Sequence, residues 1–549
     1  MQQSHDGYRS LKTFNRIGKL PLKIKTKETV YNICDLCEGR NLFKNHIIIK
    51  KDDLFKVFNR VCDHGQGRLS DKNGRIVCPL HGWDFVPETS SYTNCQVVKK
   101  EENFLISENK LIVKSLEEIP YVPIKASQKY LKILFLSHAC LLIETKDFSF
   151  ATDPWIEGFA FASGWWVNNS PVNGWKEKLN AVDFIYISHN HSDHLNEFTL
   201  SKVRKDMLFI IPDFRNKSVE KLLIRFGFKN FKKFDLQSYY QLDGTEFNIS
   251  ILPSGDSRDD SGFYLTYGDF SLLSTVDSND LNSSRLPEDI TVFASSFSAG
   301  ASGYPLCFET IKEADKKEIV YKNLKAEKVI VAQNIKRTKP HYFLPYAGFF
   351  SEKAQRDSYI KENNKKNTIT SYEQIFNGDI LNVEEYDEFI FCGNELKSVG
   401  NIHRDIDSHK SVEEVYRQVF KNTDVTDYYI EIFFINCKFE DNLIVFFQLT
   451  NDNFNEVKKS FYVDFSSKNV FVRFVDFDWE EEKSFEFDSD SVLNPKRKLR
   501  IKVRQDSFNW VIKNNVPFED LIIGFQCRID RTPDIYNLKF WDHFTNIYI

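Results

Sequence analysis

Two cysteines and two histidines near the N-terminus constrain the fold of this chain more than any other feature. The segment CDHGQGRLSDKNGRIVCPLHGW places Cys62 and His64 in one short run and, after thirteen intervening residues, Cys78 and His81 in a second. Each run offers one thiol and one imidazole. A metal or cluster bound by all four side chains therefore requires two loops that face each other. The intervening residues contain short apolar runs on either side of a DKNG turn, which indicates a hairpin. The spacing predicts a small antiparallel β domain with a metal or cluster between two loops.

A Rieske-type [2Fe–2S] cluster uses this ligand set, because two thiolates bind one of its irons and two imidazoles bind the other. A structural zinc site also uses two Cys and two His, but zinc fingers usually pair Cys with Cys and His with His. In this chain each run combines one Cys with one His, which favours the cluster. The segment CPLHGW and the preceding C-x-H-x-G also resemble the Rieske proteins. We therefore expect a Rieske domain over residues 20–118, in which the cysteine and histidine of each arm are the cluster ligands.

A second group of metal-ligand residues follows an apolar run, in DFIYISHNHSDHL. Its members are His189, His191, Asp193 and His194. Four such side chains directly after a strand can fan outward to hold one or two first-row metal ions. The motif resembles the metallo-β-lactamase fold, in which the first two His serve one metal and the Asp-His pair serves the other. The strand end STVDSND would add Asp277 as a bridging carboxylate. His138, in LSHACLL, is either a further site residue or a core histidine.

Hydrolases of that fold carry two further histidines that this chain lacks. In place of the third His, the chain reads LPSGDSRDDSG, and in place of the last it reads LPYAGFF, with His341 nearby but out of register. The remaining His189, His191 and Asp277 are two histidines and one carboxylate, a set that suits non-haem Fe(II) with open positions for O2 and substrate. The Asp-His pair would hold a second metal or support the first. We expect one or two iron ions, with zinc as the alternative.

Composition excludes several classes of function. A net charge of −5 over 549 residues argues against a nucleic-acid partner, which would require a basic surface. No run approaches the roughly 18 apolar residues of a membrane span, and the N-terminus lacks an apolar signal region, so we expect a cytoplasmic protein without a membrane partner. The ten cysteines are interpreted as buried thiols or metal ligands. Cys34-x-x-Cys37 has no second pair and is interpreted as incidental.

The chain is long enough for three domains, and we expect a multidomain α+β protein. The small antiparallel-β domain comes first, followed by the linker-like EEIPYVPIKASQ. β-rich runs ending in polar clusters, with amphipathic segments between them, predict an αββα metallo-β-lactamase-like sandwich over residues 128–372. Residues 380–549 show a mixed α/β pattern without metal-ligand spacing, and we interpret them as an accessory region.

Together the motifs resemble the CMP-N-acetylneuraminate hydroxylase family. The likeness includes DPWIEGFAFASGWW, SAGASGYP, PYAGFF and IGFQCRIDRTPDIYNLKFWDHF, so it extends over nearly the whole chain. It implies a Rieske-dependent non-haem iron monooxygenase that hydroxylates the N-acetyl methyl of CMP-N-acetylneuraminate. It also implies O2 as co-substrate and an electron donor such as cytochrome b5, or a ferredoxin with a reductase.

Other functions stay open on sequence alone. They are an oxygenase that acts on another N-acyl or amine substrate, a metal-dependent hydrolase with a regulatory Rieske domain, and a non-enzymatic redox or metal sensor. The sequence also leaves open whether the chain forms an oligomer. Electron transfer between the two centres predicts that His64 or His81 faces the HNHSDH loop at a domain or subunit interface. Asp193 or another carboxylate would then bridge the two centres.

Overall fold

The computed structural model of the chain describes residues 12–63, 67–79, 82–95, 97–256, 258–278, 280–405, 411–420, 423–466, 469–484 and 497–548. Within these residues, the N-terminal part is built from short antiparallel strands in three sheets. Its strands are Leu22–Asn32, Gly39–Leu42, His46–Lys51, Leu54–Asn59, Ser70–Lys72, Arg75–Val77, Asp84–Val86, Ser91–Tyr92, Phe104–Ser107 and Lys110–Pro120. The predicted small antiparallel β domain is confirmed.

The hairpin between the two Cys/His runs has the turn that its sequence predicts. Ser70–Lys72 pairs with Arg75–Val77, which leaves a two-residue loop of Asn73 and Gly74. Both loop residues have positive φ, at 56° and 80°. Asn-Gly is the preferred pair for such a turn, because glycine and asparagine tolerate the left-handed region. The hairpin therefore sets the spacing between the two motif loops.

Two eight-stranded sheets lie face to face in the middle of the chain. In spatial order the first contains Phe231–Phe234, Leu208–Pro212, Phe184–Tyr186, Ser149–Thr152, Cys140–Thr145, Tyr130–Ser137, Glu388–Cys392 and Glu395–Gly400. The second contains Phe14–Lys19, Ser238–Leu242, Phe247–Pro253, Ser261–Tyr267, Phe270–Ser274, Val292–Ser295, Tyr342–Pro345 and Asp379–Ile380. A shared core of buried side chains from both sheets, such as Ile133, Phe150, Phe263 and Leu272, fills the space between them.

Helices cover the outer faces of both sheets. Leu134 and Leu136 alternate with the inward-facing residues of the same strand and pack instead beneath Trp175–Ala181, Glu197–Leu200 and Ser218–Arg225. The long helix Glu313–Thr338 packs beside Val292–Ser295 of the second sheet. The predicted αββα sandwich is therefore confirmed. Among the described residues, no helix is long and apolar enough to span a membrane.

The sandwich extends beyond the end predicted for it at residue 372. Glu388–Cys392 pairs antiparallel with Tyr130–Ser137, and Glu395–Gly400 follows it at the sheet edge. At the other end of the chain, Phe14–Lys19 joins the edge of the second sheet. These strands lie outside the predicted range of residues 128–372. An edge strand pairs through its backbone groups, so its sequence does not identify the sheet that it joins.

The C-terminal region has the predicted mixed α/β character. Its five-stranded sheet has the spatial order Phe471–Phe474, Val457–Asp464, Leu443–Thr450, Arg497–Arg504 and Cys527–Thr532. Its helices are Val412–Phe420, Asp427–Asn436, Trp479–Ser484, Gln505–Asn514, Asp520–Ile523 and Leu538–Phe544. A small sheet of Phe159–Ala160, Trp165–Val167 and Phe350–Ser351 and the helix Ser358–Asn363 lie between this region and the sandwich.

The C-terminal region packs tightly onto the sandwich near Gly524. A Cβ atom on Gly524 would overlap the carbonyl oxygen of Phe161, and one on Gly164 would overlap the carbonyl oxygen of Gly524. The indole of Trp165 donates a 3.1 Å hydrogen bond to the carbonyl of Ile523. The two backbones thus approach each other more closely than any residue with a side chain would allow.

Replacing Gly524 with alanine is therefore expected to destabilise this junction. Overpacking of a filled interior typically lowers the free energy of unfolding by about 1–3 kcal/mol. Gly400→Ala is the matched control, because the nearest atom to its added Cβ lies 3.4 Å away. Thermal unfolding of both variants checks the prediction. Equal unfolding midpoints for the two would contradict the close packing described above.

Candidate metal centre

The candidate centre lies where several strands of the two sheets end. Phe184–Tyr186 leads into the HNHSDH loop, and its parallel neighbour Ser149–Thr152 leads into Asp153. Phe270–Ser274 of the opposite sheet leads into Asp277, and His138 lies in the turn after Tyr130–Ser137. Because these strand ends meet at one rim of the sandwich, the six residues predicted for the second site are brought together. They are His138, His189, His191, Asp193, His194 and Asp277.

The first two histidines of the loop turn one nitrogen each toward a common point. His189 Nε2 and His191 Nδ1 lie 2.8 Å apart, within hydrogen-bond distance and close enough for both to bind one ion. The outer Nδ1 of His189 lies 2.9 Å from Ser188 Oγ and 3.4 Å from Asp260 Oδ1. Side chains that hold the outer nitrogen of a histidine fix its tautomer and ring orientation.

His194 occupies the middle of the centre. Its Nε2 lies 3.1 Å from Asp277 Oδ2 and 3.4 Å from Asp193 Oδ2, while its Nδ1 lies 3.2 Å from Asp153 Oδ2. His138 Nε2 lies 3.3 Å from the same Asp193 oxygen. Two sets of ligand atoms, each within 4.8 Å of one another, result from this arrangement. One is His189, His194 and Asp277, and the other is His138, Asp193 and His194.

The buried charges of the centre fit a metal ion. The side chain of Asp193 is 1% exposed, and no described residue is aligned for a hydrogen bond with either oxygen, although His138 and His194 lie within ion-pair distance. A buried carboxylate without a hydrogen-bond partner is costly unless a cation compensates it. Imidazole nitrogens and carboxylate oxygens are ligands that suit first-row metals. The residues present therefore fit one or two such ions.

The shifts in pKa follow from the same charges. Burial lowers the pKa of His189 well below its ordinary value, and the neighbouring His194 and His191 lower it further, so the ring is neutral and its lone pair can bind a metal. Burial also disfavours protonated His194, but Asp193 and Asp277 outweigh that effect and hold its pKa well above the ordinary value. The carboxylates thus attract positive charge to the position where a metal would bind.

Four carboxylates around the centre are absent from the set of site residues predicted from sequence. Asp153 follows a strand in FSFATDPW, the same signal that identifies Asp277, and could have been found by it. Asp260 belongs to the stretch without histidine, and burial raises its pKa to about 7. Glu519 and Asp520 come from the C-terminal region, where burial raises the pKa of Asp520 to about 8. No local pattern connects these two residues with a loop more than three hundred positions away.

His341 is correctly excluded from the centre. It precedes Tyr342–Pro345, whose parallel partner is Val292–Ser295, so it lies at the opposite end of the strand from the metal-binding rim. Its side chain is exposed.

In the two Rieske loops, the structure describes the positions of the two cysteines. Cys62 and Cys78 are buried in the same small core with Ile47, Phe58 and Phe85. The Cys62 N–H donates to the Gly67 carbonyl at 2.8 Å, and the Cys78 N–H donates to the Trp83 carbonyl at 2.7 Å. Each cysteine is thus fixed at the base of a tight loop, which fits a cluster bound between the two loops. His64 and His81 lie outside the described residues, and their role as ligands stays a prediction. Cys34 and Cys37 are exposed.

Between Cys62 and His64, the side chain of Asp63 is held in place from two sides. The Tyr92 hydroxyl donates to Asp63 Oδ2 at 2.7 Å, and the ammonium of Lys99, which is 1% exposed, lies 3.2 Å from the same oxygen. This ion pair fixes the backbone of the first motif loop.

Comparisons with known proteins agree with the two centres. A Rieske [2Fe-2S] domain model matches residues 30–107, and a β-lactamase superfamily domain model matches residues 132–279. The cytidine monophosphate-N-acetylneuraminic acid hydroxylase of Mus musculus is 28% identical over 93% of this chain and 94% of its own length. The Macaca mulatta hydroxylase is 28% identical over 93% and 92% of the two chains, and that of Danio rerio is 26% identical over the same shares. The predicted resemblance is confirmed: the chain is a relative of the cytidine monophosphate-N-acetylneuraminic acid hydroxylases, with a Rieske domain ahead of a β-lactamase superfamily domain.

Proposed function

We propose that this chain is a Rieske-dependent non-haem iron monooxygenase that hydroxylates the N-acetyl methyl of CMP-N-acetylneuraminate. One observation carries the proposal: a cluster of four histidines and two aspartates, of which His138, His189, Asp193 and His194 are buried, lies in the same chain as a Rieske domain. The relatives named above support the hydroxylase class and the substrate. The absence of the two histidines that hydrolases of the fold use argues against hydrolysis.

Hydroxylation of an unactivated methyl group has a fixed electron requirement. The methyl group, O2, two electrons and two protons give the alcohol and one water, so the reductant must come from outside the substrate. A Rieske cluster supplies electrons singly, and iron with open positions supplies the site at which O2 is activated. The protein contributes position and electrostatics to this chemistry. A donor such as cytochrome b5, or a ferredoxin with a reductase, would reduce the cluster in the cytoplasm.

The side chains of the centre have separable roles in this proposal. The set predicted from sequence is His189, His191 and Asp277, but the ligand atoms that lie together are those of His189, His194 and Asp277, so these three would hold one iron as its two histidines and one carboxylate. His191 would join them through the nitrogen that lies beside His189. His194 Nε2 also lies beside Asp193, so in a centre of two ions it would bind the second ion together with that carboxylate. His138 contacts Asp193 and belongs with that second set.

Aromatic rings close the centre from one side and keep water away from it. The rings of Trp155 and His138 have centroids 5.1 Å apart, and those of Phe161 and His191 have centroids 5.5 Å apart. Trp155 and Phe161 are both buried. A dry wall strengthens the electrostatic interactions within a site and protects a strong oxidant from side reactions.

A single-turnover experiment tests the proposal. The iron-loaded protein is reduced without oxygen, then mixed with ¹⁸O2 and CMP-N-acetylneuraminate, and the sugar nucleotide is analysed by mass spectrometry. We expect a product that carries one oxygen atom from O2. A product formed only from another N-acyl or amine compound would assign a different oxygenase. Hydrolysis by a protein with zinc in the second site would overturn the proposal.

A further inference from the structure

The C-terminal region contacts the metal-binding loop at three successive residues. The amide of Asn190 donates to the Thr545 carbonyl at 2.7 Å, and the hydroxyl of Ser192 donates to the carboxylate of Asp520 at 3.2 Å. Between them, His191 Nε2 lies 3.5 Å from Glu519 Oε2. A segment distant in sequence thus fixes the middle of the HNHSDH loop from outside.

The contact with Glu519 involves the nitrogen of His191 that does not face the centre. Nδ1 of His191 points to His189 Nε2, where an ion would bind, and this leaves Nε2 as the outer nitrogen. Glu519 Oε2 is buried and has no hydrogen-bond partner within the described residues. A metal-bound histidine commonly donates its second N–H to a carboxylate, which orients the ring and increases its basicity. The position of Glu519 is suited to accept that N–H.

The same region also reaches the Rieske domain. Tyr536 packs against the core that holds Cys62 and Cys78, and its N–H donates to the Asn94 carbonyl at 3.4 Å. The Asn94 amide in turn donates to the carbonyl of Gly82, in the second motif loop, at 3.0 Å. The C-terminal region therefore contacts both the metal-binding loop and the Rieske domain.

We propose that Glu519 is a positioning residue of the metal centre, supplied by the C-terminal region to hold the outer nitrogen of His191 at the junction with the Rieske domain. This gives the C-terminal region a role that its sequence does not indicate: it completes the support of a metal ligand, and it also contacts the Rieske domain through Tyr536. The inference rests on the proposed metal centre. Asp193 contacts His138 and His194. That Asp193 or another carboxylate bridges the two centres stays a prediction, because His64 and His81 lie outside the described residues.

The test measures metal affinity in the full chain with its Rieske cluster intact. Co(II) is titrated into protein stripped of second-site metal, in competition with a chelator, and binding is followed by the visible bands of Co(II). Glu519→Ala is expected to weaken binding by roughly 10–100-fold, the usual effect of removing an outer partner. Glu519→Gln is expected to bind closer to the unmodified protein, because its amide oxygen still accepts from the His191 N–H. Asp534→Ala removes an exposed carboxylate of the same region as the control.

The outcomes separate this inference from the proposed function. No Co(II) binding by the unmodified protein would overturn the metal centre itself. Normal binding by the unmodified protein and by Glu519→Ala would overturn only the role of Glu519. Equal weakening in the glutamine and alanine variants would also overturn it, since charge rather than the hydrogen bond would then matter. Unchanged g-values of the reduced Rieske cluster show that each variant is folded, so loss of affinity is not mistaken for unfolding.

Discussion

Replacing His194 with alanine is expected to remove metal from the second centre and to abolish hydroxylation, while the Rieske cluster stays in place. His194 belongs to both sets of ligand atoms, and its Nε2 lies close to Asp193 and Asp277. Its loss leaves the buried Asp193 and the half-buried Asp277 without the imidazole that lies between them and the metal position, which removes one ligand from each set. The loss of metal affinity should exceed the roughly 10–100-fold effect that an outer partner has.

Metal analysis and turnover of the same preparation check this prediction. The expected result is iron equivalent to the Rieske cluster alone and no product above background. His341→Ala is the matched control, because that exposed histidine lies at the far end of its strand. A His194→Ala protein that retains second-site iron and hydroxylates the substrate would remove His194 from the centre.

Replacing Cys78 with serine is expected to abolish the [2Fe–2S] cluster and, with it, hydroxylation driven by the electron donor. Cys78 is buried, and its loop is fixed by hydrogen bonds that join it to Trp83 and Gly82. A serine hydroxyl is a poor replacement for a thiolate on iron, and the sequence provides no other cysteine in that loop. The second centre should keep its metal, because its ligands come from the sandwich.

The visible absorption and the EPR signal of the reduced protein measure cluster loss directly. Cys37→Ser is the control, since Cys37 is exposed and lies outside the Cys/His motif. We expect a normal cluster in that variant. A Rieske signal that persists in Cys78→Ser, or donor-dependent turnover at the unmodified rate, would show that Cys78 is not a ligand.

The sequence predicts those parts of the fold and site that depend on local pattern. The Asn73-Gly74 turn is local, because its two positive φ angles belong to the residues that tolerate them best. The placement of Asp277 follows from similar reasoning, because it is a polar residue at the end of an apolar strand. Asp153 carries the same signal, so its role beside His194 was within reach of the same argument.

Other parts depend on contacts between distant segments. The strand Glu388–Cys392 pairs with Tyr130–Ser137 through backbone groups, and its sequence does not encode which edge it joins. Glu519 lies beside His191 only because the C-terminal region docks where Gly164 and Gly524 allow close approach. Nothing in the sequence around these two glycines distinguishes them from glycines whose surroundings are open. Tertiary packing therefore decides these features.

The central claim is that the Rieske cluster and the second metal centre work together in one hydroxylation. The most direct test follows the EPR signal of the reduced cluster by rapid freezing after O2 and CMP-N-acetylneuraminate are added to the reduced, iron-loaded protein. Our account predicts that the signal disappears in step with product formation, and that it persists without product when zinc occupies the second centre. Product formed while the cluster stays fully reduced would contradict the account, as would equally fast loss of the signal in the zinc-loaded protein.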